Sequence, residues 1–211
     1  MGFVGLLDDI LSGWRRGSRG PLPQLTSLQV LAALILIRGD GPVGRRLLSQ
    51  ALGINDGVAR GLLERLSEKE LVRIAENGAV LSEIGRKRLD SELGLLGVGS
   101  IHELGETELV PGKRAVGVHL SGRYVMGLNG IRERDEAVRV GADGAITMAL
   151  LNGRLVVPPD NKDVRDMSRD EDSRLRGLFG PAEKDLLIVG FASDSRLALV
   201  GALAAVLSLA R

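Results

Sequence analysis

The sequence predicts an α+β protein built from more than one domain, and three observations support this. Residues 21–95 combine helical apolar spacings, a tight turn and a hairpin signal in the order helix, helix, helix, hairpin, helix. Residues 96–211 mix strands and helices without the regular alternation of a doubly wound parallel sheet. Residues 1–20 read as a separate amphipathic helix followed by a linker.

The composition is that of an ordinary globular protein. Of 211 residues, 44% are hydrophobic and 26% are charged, which is enough to bury a core. The net charge is only +1, whereas a protein that binds nucleic acid through a general cationic surface would carry a basic excess. There is no cysteine, and only His102 and His119 could supply imidazole ligands. We therefore expect no disulfide, no metal and no cofactor.

Nothing in the sequence indicates a membrane segment or a secretory signal. The longest apolar run, residues 197–210, is shorter than the roughly 17 to 25 residues that span a bilayer. At the N-terminus, Asp8 and Asp9 interrupt the apolar stretch, and no basic leader precedes it. These features predict a cytoplasmic protein with no membrane partner.

The N-terminal segment predicts a helix with one apolar stripe, because its large apolar residues recur every three or four positions. They are Phe3, Leu6, Leu7, Ile10, Leu11 and Trp14. The stretch RRGSRGPLP then ends the helix. Two interpretations remain open: the helix packs on its own chain, or it pairs with a second copy of the protein.

Two helices are predicted at the start of the second part. The first begins at a cap supplied by Thr26 or Ser27 and ends near Arg38. Its sequence, LQVLAALILI, is apolar all round, so the helix should be covered on more than one side. The second follows Pro42, carries Leu48 and Leu52 on one face, and ends at Gly53.

A third helix, a hairpin and a fourth helix complete this part. Asn55 or Asp56 caps the third helix, whose inward face carries Val58, Leu62 and Leu66. Asn77-Gly78 lies between short β-forming runs, which predicts a hairpin with a type I′ turn. Ser82 then caps the helix EIGRKRLDSEL.

The third part is predicted to begin with a glycine-rich connector, residues 94–99. A strand over Arg114–Leu120 and a helix over Arg132–Val140, ending at Gly141, follow it. The dipeptide Asn152-Gly153 marks a second hairpin. Residues 160–174 are polar without periodicity and predict a solvated loop. The chain then closes with the buried strand DLLIVGFA and a helix over Ser195–Leu209.

The element order in residues 21–95 is that of a winged helix-turn-helix domain, followed here by a small α+β C-terminal domain. The Gly53-Ile54 corner allows the chain to reverse, and the outer face of the third helix is then free to enter a major groove. The partner that this predicts is double-stranded DNA. The candidate contacts to bases or phosphates are Arg45, Arg46, Asn55, Asp56, Ala59, Arg60, Glu64, Asn77 and Lys87.

A structural interpretation accompanies each of these candidates. Arg60 and Glu64 stand four residues apart and can form a simple surface ion pair, and residues 86–88 can be a solvated helix face. Winged helices also act as protein-interaction or architectural modules, so the fold alone does not establish DNA binding.

The sequence resembles an archaeal family of winged-helix transcriptional regulators over most of the chain after residue 20. The segments that carry the resemblance are GPLPQLTSLQVLAALILI, LLSQALGINDGVARGLLERL, LVRIAENGAVLSEIGRKRL, RDEAVRVGADGAITM and ALVGALAAVLSLA. The resemblance implies an N-terminal DNA-binding domain joined to an α+β domain with a regulatory role. It brings no catalytic residues and no defined effector.

One segment of the C-terminal part suggests a ligand site. Arg134 and Asp135 open a helix, and Gly141 and Gly144 flank a tight turn into a strand. An arginine beside small residues can hold a carboxylate or phosphate of an effector. The alternative is a helix end and strand entry that need glycine for their backbone angles.

Taken together, these features predict a cytoplasmic, homodimeric, sequence-specific DNA-binding regulator whose C-terminal domain senses a small molecule, dimerises, or does both. The chain has no nucleophile elbow, phosphate loop or GxGxxG motif, so we expect no enzyme activity. A winged-helix interaction module and, less favoured, a small-molecule enzyme are the alternatives.

Overall fold

The computed structural model describes residues 5–14 and 25–210, and the chain divides into two compact units, residues 1–93 and 94–211. Helices and one hairpin form the first unit. Its elements are α1 (Leu6–Trp14), α2 (Ser27–Asp40), α3 (Arg45–Leu52), α4 (Asp56–Glu68), β1 (Val72–Ala75), β2 (Gly78–Leu81) and α5 (Glu83–Leu96). This is the predicted order of elements.

Helix α1 packs on its own chain. Leu6, Leu7 and Ile10 are buried, and the helix lies against α2 and α4. The backbone N–H of Leu6 donates to Oε2 of the buried Glu92, at 2.8 Å. The structure thus bears out the first of the two interpretations of this helix. Phe3, the Trp14 side chain and the Gly/Pro stretch lie outside the described residues.

Helix α2 forms the centre of the first unit. Thr26 is its cap, and the Thr26 hydroxyl and the Gln29 side chain exchange hydrogen bonds with each other's backbone N–H groups in a capping box. Every residue from 30 to 37 is buried, because α1, α3 and β2 cover different sides of the helix. The prediction from its all-round apolar sequence is confirmed.

The hairpin of the first unit turns one residue earlier than predicted. Ala75 pairs with Gly78, so the two-residue turn is Glu76-Asn77 and is not the predicted type I′ turn at Asn77-Gly78. Gly78, with φ +137°, lies instead where β2 meets the segment before α3. Val43 and Ala79 exchange two backbone hydrogen bonds of 2.9 Å, and a Cβ on Gly78 would lie 2.6 Å from the Val43 carbonyl carbon. Glycine is required by this close approach.

The second unit contains a six-stranded sheet in which every neighbouring pair of strands is antiparallel. The strand order is β3-β4-β8-β5-β6-β7. The elements are β3 (Val98–Gly105), β4 (Arg114–Leu120), α6 (Ile131–Arg139), β5 (Gly144–Leu151), β6 (Arg154–Val157), β7 (Lys162–Asp163), α7 (Val164–Met167), α8 (Arg169–Phe179), β8 (Leu186–Ala192) and α9 (Ser195–Leu209).

Helices cover both faces of this sheet. Successive residues of β8 lie on opposite faces, and their contacts identify the helices on each face. Leu187 and Val189 join the core cluster that contains Leu175 and Phe179 of α8. Gly190 points to the other face, where a Cβ would lie 2.5 Å from backbone atoms of α9. Helix α6 packs on β5 and α9 on that second face. The α+β class predicted for this part is therefore confirmed.

Neither edge strand of the sheet is long and regular. On one side, β3 carries two shifts in its pairing with β4, between Val98 and Ser100 and between Glu103 and Gly105. On the other side, β7 consists of two residues.

Residues 94–99 were predicted to be a connector, but α5 runs to Leu96 and β3 begins at Val98, so Gly97 alone forms the turn.

The predicted solvated loop at residues 160–174 is wrong. This segment forms β7, α7 and most of α8, which Ser168 caps by accepting from the backbone N–H of Glu171. Val164 is buried, and so are the acidic residues Glu171 and Asp172, which pair with Arg174 and Arg176 respectively. The apolar residues of this segment are too sparse for periodicity to reveal α8.

The second predicted Asn-Gly hairpin, at Asn152-Gly153, is confirmed. It joins β5 to β6, and both turn residues have positive φ.

A buried carboxylate connects β8 to the loops beside it. Asp185 accepts hydrogen bonds from the backbone N–H groups of Gly122 (2.7 Å) and Ala182 (2.8 Å) and contacts His119 Nε2 at 2.7 Å. Burial raises the pKa of Asp185, but these hydrogen bonds outweigh it, and the pKa lies below its ordinary value. Asp185 is thus ionised and fixes three segments at once.

Across the described residues, no helix is long and apolar enough to cross a membrane.

Candidate nucleic-acid interface

Helices α3 and α4 are joined by a tight corner. Gly53 adopts the left-handed conformation (φ +62°), and its N–H bonds the Ser49 carbonyl. The N–H of Ile54 bonds the same carbonyl at 3.1 Å, and the Ser49 hydroxyl donates to the Ile54 carbonyl at 2.6 Å. The corner is fixed by three hydrogen bonds within six residues, and this sets the direction in which α4 leaves α3.

Asn55 is the cap of α4. Its side-chain oxygen accepts from the backbone N–H of Val58 at 2.9 Å, which resolves the choice left open between Asn55 and Asp56. The carbonyl end of the Asn55 amide is therefore engaged within the protein. Its NH₂ group is the end that can contact a phosphate or a base.

The buried side of α4 comprises Ala59, Leu62, Leu63 and Leu66, none of which is more than 9% exposed. Ala59 was predicted to lie on the outer face, and this is wrong. Its position three residues before Leu62 and seven before Leu66 places it on the inward stripe of the helix. The exposed side carries Asp56, Gly57, Arg60 and Glu64.

Three of the cationic candidates have a carboxylate partner. Arg60 Nε lies 2.8 Å from Glu64 Oε1, Arg45 Nε lies 3.4 Å from Asp56 Oδ2, and Lys87 Nζ lies 3.3 Å from Glu83 Oε1. All six side chains are more than half exposed, and pairs of this kind contribute about 0 to 1 kcal/mol. A phosphate or a guanine edge can therefore replace the carboxylate at small cost.

Other exposed groups lie on α3, the hairpin and α5. Asn77 is exposed in the hairpin turn. Within the described ranges, Arg46, Arg73 and Arg86 are exposed and form no ion pair. Neither Arg73 nor Arg86 was among the predicted DNA contacts, and Arg86 was considered only as part of a solvated helix face. The alternation of side chains along a strand could have indicated Arg73. Val72 faces inward, so the next residue, Arg73, must point outward.

The four predicted ligand-site residues of the second unit do not form a built site. Arg134 and Asp135 pair with each other at 2.8 Å and are exposed. Gly141, at φ +95°, follows the end of α6, as the helix-end alternative requires. Gly144 is buried, and a Cβ there would lie 2.7 Å from the Phe191 ring. Gly144 was predicted to belong to the ligand site, but an aromatic side chain covers it and leaves no space for a ligand there.

Two family models match the chain in succession. Residues 29–94, which extend from the first turn of α2 into the greater part of α5, match the CggR N-terminal DNA binding domain. Residues 111–209, which contain β4 to α9, match a domain of unknown function, DUF4443. We refer to these two matched segments below as the CggR-type domain and the DUF4443 domain. The corner, the capped α4 and the hairpin all lie within the CggR-type domain.

Two known proteins show the extent of the similarity. The central glycolytic genes regulator of Bacillus subtilis (strain 168) is 47% identical over 53 residues, which are 25% of this chain and 16% of that protein. The chain thus spans a small part of that relative's length. A solved structure of a hypothetical protein from Pyrococcus horikoshii OT3 matches with a TM-score of 0.70 and 22% identity, covering 88% of this chain and 93% of that one. This second likeness shows that the two proteins share a fold over most of their lengths, including the DUF4443 domain of this chain.

Proposed function

We propose that this protein is a sequence-specific, DNA-binding transcriptional regulator and that its CggR-type domain is a winged helix-turn-helix. One observation carries the proposal. The corner at Gly53 and the cap at Asn55 hold α4 with its apolar side on the core and Arg60 on the outer side, within a segment that matches a DNA-binding domain model. An α-helix presented in this way fits the major groove.

The contacts divide into two classes under this proposal. Arg60 reads a base edge, and a bidentate pair with guanine is the geometry that suits a guanidinium. Arg45, Arg46, Asn77 and Lys87 contact phosphates, and we add Arg73 and Arg86 to that class. With a net charge of only +1, the protein depends on these few placed cations. Its non-specific affinity is modest and sensitive to salt.

The remaining parts of the proposal concern assembly and location. A homodimer in the cytoplasm would read two half-sites about 34 Å or a multiple of that apart, since one winged helix reaches a single groove. The DUF4443 domain would then sense a small molecule, dimerise, or do both. No enzyme activity is proposed, because the regulator-like domain suggests a non-enzyme. We also propose an archaeal source, as the resemblance implies.

Selection of bound fragments from a genomic library, at two controlled salt concentrations, tests the proposal. We expect an enriched palindromic sequence that survives the higher salt concentration. The same selection with Asn55→Ala and Arg60→Ala combined should lose the enrichment, while Arg154→Ala, which removes an exposed cation from the second unit, should retain it. Recovery of unrelated fragments by the unaltered protein would contradict specific regulation.

A second candidate function is a winged-helix module for protein interaction. It is favoured by the charge of α4, whose exposed side carries Asp56, Glu64 and Glu68 beside Arg60. Phosphates would have to compete with these carboxylates for Arg45, Arg60 and Arg65, with which they form ion pairs. The selection distinguishes the two functions, because an interaction module would enrich no DNA sequence at either salt concentration.

A further inference from the structure

Two polar side chains on α6 and β5 of the DUF4443 domain are buried with neither a hydrogen bond nor an ion pair in the described part of the chain, unlike the buried Glu171, which pairs with Arg174. Glu133, in the first turn of α6, is 2% exposed, and its Oε2 has no partner among the described residues. Thr147, on β5, is 3% exposed, and its Oγ1 has no partner in the described part of the chain. Buried polar groups are nearly always satisfied in folded proteins, so each orphan requires a physical explanation.

The two orphans lie at the same end of α6. Gly130, at φ +73°, precedes the helix, and a Cβ added there would lie 3.3 Å from Thr147 Cβ and 3.6 Å from Thr147 Oγ1. Glu133 follows Gly130 by three residues, within one helical turn. Glu133 and Ala137 are the inward-facing residues of α6, so the Glu133 side chain enters the layer between α6 and its neighbours.

The position of Glu133 makes its lack of a partner more informative. In a capping box, a glutamate at the third position of a helix turns back to accept from the N–H of the cap residue. Glu133 forms no such bond with Gly130 and instead turns inward, where an uncompensated carboxylate is costly. The arrangement favours a positively charged hydrogen-bond donor as the missing partner.

The chemistry of the pair restricts what that donor can be. A carboxylate oxygen accepts, and a threonine hydroxyl accepts or donates, so a group with several N–H bonds satisfies both. Calcium and magnesium need about six oxygen ligands, and the described residues contain no cluster of three or more acidic or histidine side chains that could hold a metal ion. An ammonium group, with its charge and three or more N–H donors, meets the requirement.

We propose that Glu133 and Thr147 form a binding site for the primary ammonium group of a small molecule, at the N-terminal end of α6. The site is separate from Arg134, Asp135 and Gly141, which face solvent. Its use as an effector site rests on the proposed regulatory function, but amine binding itself does not.

The segment before α6 provides the route of entry. Residues 121–130 contain three glycines at positive φ, Gly122, Gly127 and Gly130. At the centre of this segment, Val125 is 61% exposed and Met126 is 95% exposed. Under this proposal, displacement of residues 125–130, which lie beyond the Gly122 anchor on Asp185, exposes the first turn of α6, and the apolar side chains can then contact the carbon skeleton of an amine.

Binding can be tested on the full chain without DNA. The probe is methylammonium chloride, and the matched control is tetramethylammonium chloride at the same ionic strength, which carries the charge but no N–H donor. We expect methylammonium at saturating concentration to raise Tm by roughly 3 to 8 °C, and tetramethylammonium to leave it unchanged. Glu133→Gln should abolish the rise, and Thr147→Val should reduce it.

A second measurement covers the case in which Glu133→Gln does not fold. The Thr147 methyl resonance of the unaltered protein should shift on titration with methylammonium and not with tetramethylammonium. Equal effects of the two salts, or an undiminished rise in Tm in a folded Glu133→Gln variant, would overturn the site. No effect of methylammonium on either readout would leave an ordered water as the partner and would also overturn it.

The link to regulation is measured afterwards, as the affinity for the selected DNA with and without methylammonium. A change in that affinity supports an effector role. An unchanged affinity, with amine binding intact, overturns the effector role alone. Failure of amine binding leaves the DNA-binding proposal untouched, since that proposal depends on the first unit.

Discussion

Arg60 Nε lies 2.8 Å from Glu64 Oε1, one turn along the exposed side of α4. This pair separates the two interpretations of Arg60. If the pair is only a surface contact, removal of Arg60 and removal of Glu64 should each have a similarly small effect on DNA binding. If Arg60 reads a base, the two removals have opposite consequences for DNA binding.

We predict that Arg60→Ala weakens binding to the selected sequence by roughly 1 to 3 kcal/mol and relaxes the preference at one base pair. Glu64→Gln should retain or strengthen binding, because it releases the guanidinium and removes a negative charge near the phosphates. Fluorescence anisotropy with the selected duplex and single-base variants measures both. An unchanged sequence preference in Arg60→Ala would remove Arg60 from base recognition.

Arg73 on the hairpin and Arg86 on α5 are predicted to contact phosphates. Each alanine variant should weaken binding uniformly across sequences and reduce the slope of log K against log salt concentration by about one. Arg154→Ala, with the same change of charge in the second unit, is the control. A slope equal to that of the control would mean that the residue makes no phosphate contact.

Gly78→Ala should destabilise the first unit by more than about 1 kcal/mol, since the new methyl would meet the Val43 backbone and the backbone angle is unfavourable for alanine. Gly39→Ala is the matched control. Gly39 lies in α2 with no heavy atom within 4 Å of an added Cβ, so alanine there should be neutral or stabilising by up to about 1 kcal/mol. Urea unfolding followed by circular dichroism compares them. Equal stabilities would show that the approach of Val43 to Gly78 is not constrained.

Asp9 ties α1 to the rest of its unit through Lys69 (2.6 Å) and Arg88 (3.0 Å). The hydrogen bond from Lys69, aided by Arg88 and opposed by burial, holds the pKa of Asp9 below its ordinary value. A lowered carboxyl pKa stabilises the fold above the unfolded value of about 3.9, and this stabilisation is lost as the pH falls through the folded pKa.

Asp9→Asn should therefore lower stability at pH 7 by up to about 1 kcal/mol. Its difference from the unaltered protein should shrink as the pH falls below about 4. Asp8→Asn removes a neighbouring exposed charge of α1 and should have little effect at either pH. Thermal melts from pH 7 to pH 2.5 provide the comparison. A difference between Asp9→Asn and the unaltered protein that does not depend on pH would contradict the assigned pairs.

Asp185→Asn is predicted to destabilise the second unit by about 1 to 3 kcal/mol. The new NH₂ group would face donors, and at least one of the N–H groups of Gly122 and Ala182 would lose its acceptor. Glu183→Gln is the control, because Glu183 accepts from the Asn152 and Gly153 N–H groups in an exposed turn, where an N–H that loses its acceptor can bond water instead. Unfolding in guanidinium chloride measures the cost, and equal stability of the two variants would contradict it.

Local signals predicted the first unit well. The capping residues, the left-handed Gly53 and the apolar spacings each act over one turn of helix, so they can be read from neighbouring residues. The elements of the second unit were harder to predict from the sequence, because they are stabilised by strands and helices that are far away along the chain. β3 contains polar residues and gains its stability from pairing with β4, while α8 is mostly polar and only Leu175 and Phe179 enter the core.

The candidate site shows the same division. The outward direction of Arg60 follows from helical periodicity, but the inward position of Ala59 required all four members of the stripe to be weighed together. The burial of Gly144 under Phe191 could not be predicted, since these residues are 47 positions apart and meet only through the pairing of β5 with β8. The burial of Glu133 could not be predicted either, because the surrounding sequence, RERDE, is typical of a solvated helix face.

The pairing shifts in β3 and the shortness of β7 also bear on how copies of this protein behave when crowded. An open sheet whose outermost strands present evenly spaced, unpaired N–H and C=O groups acts as a template on which further strands add, and fibres grow from such templates. Here one outer strand is bent out of register twice and the other spans two residues. Addition of further strands to either edge of the six-stranded sheet is therefore disfavoured.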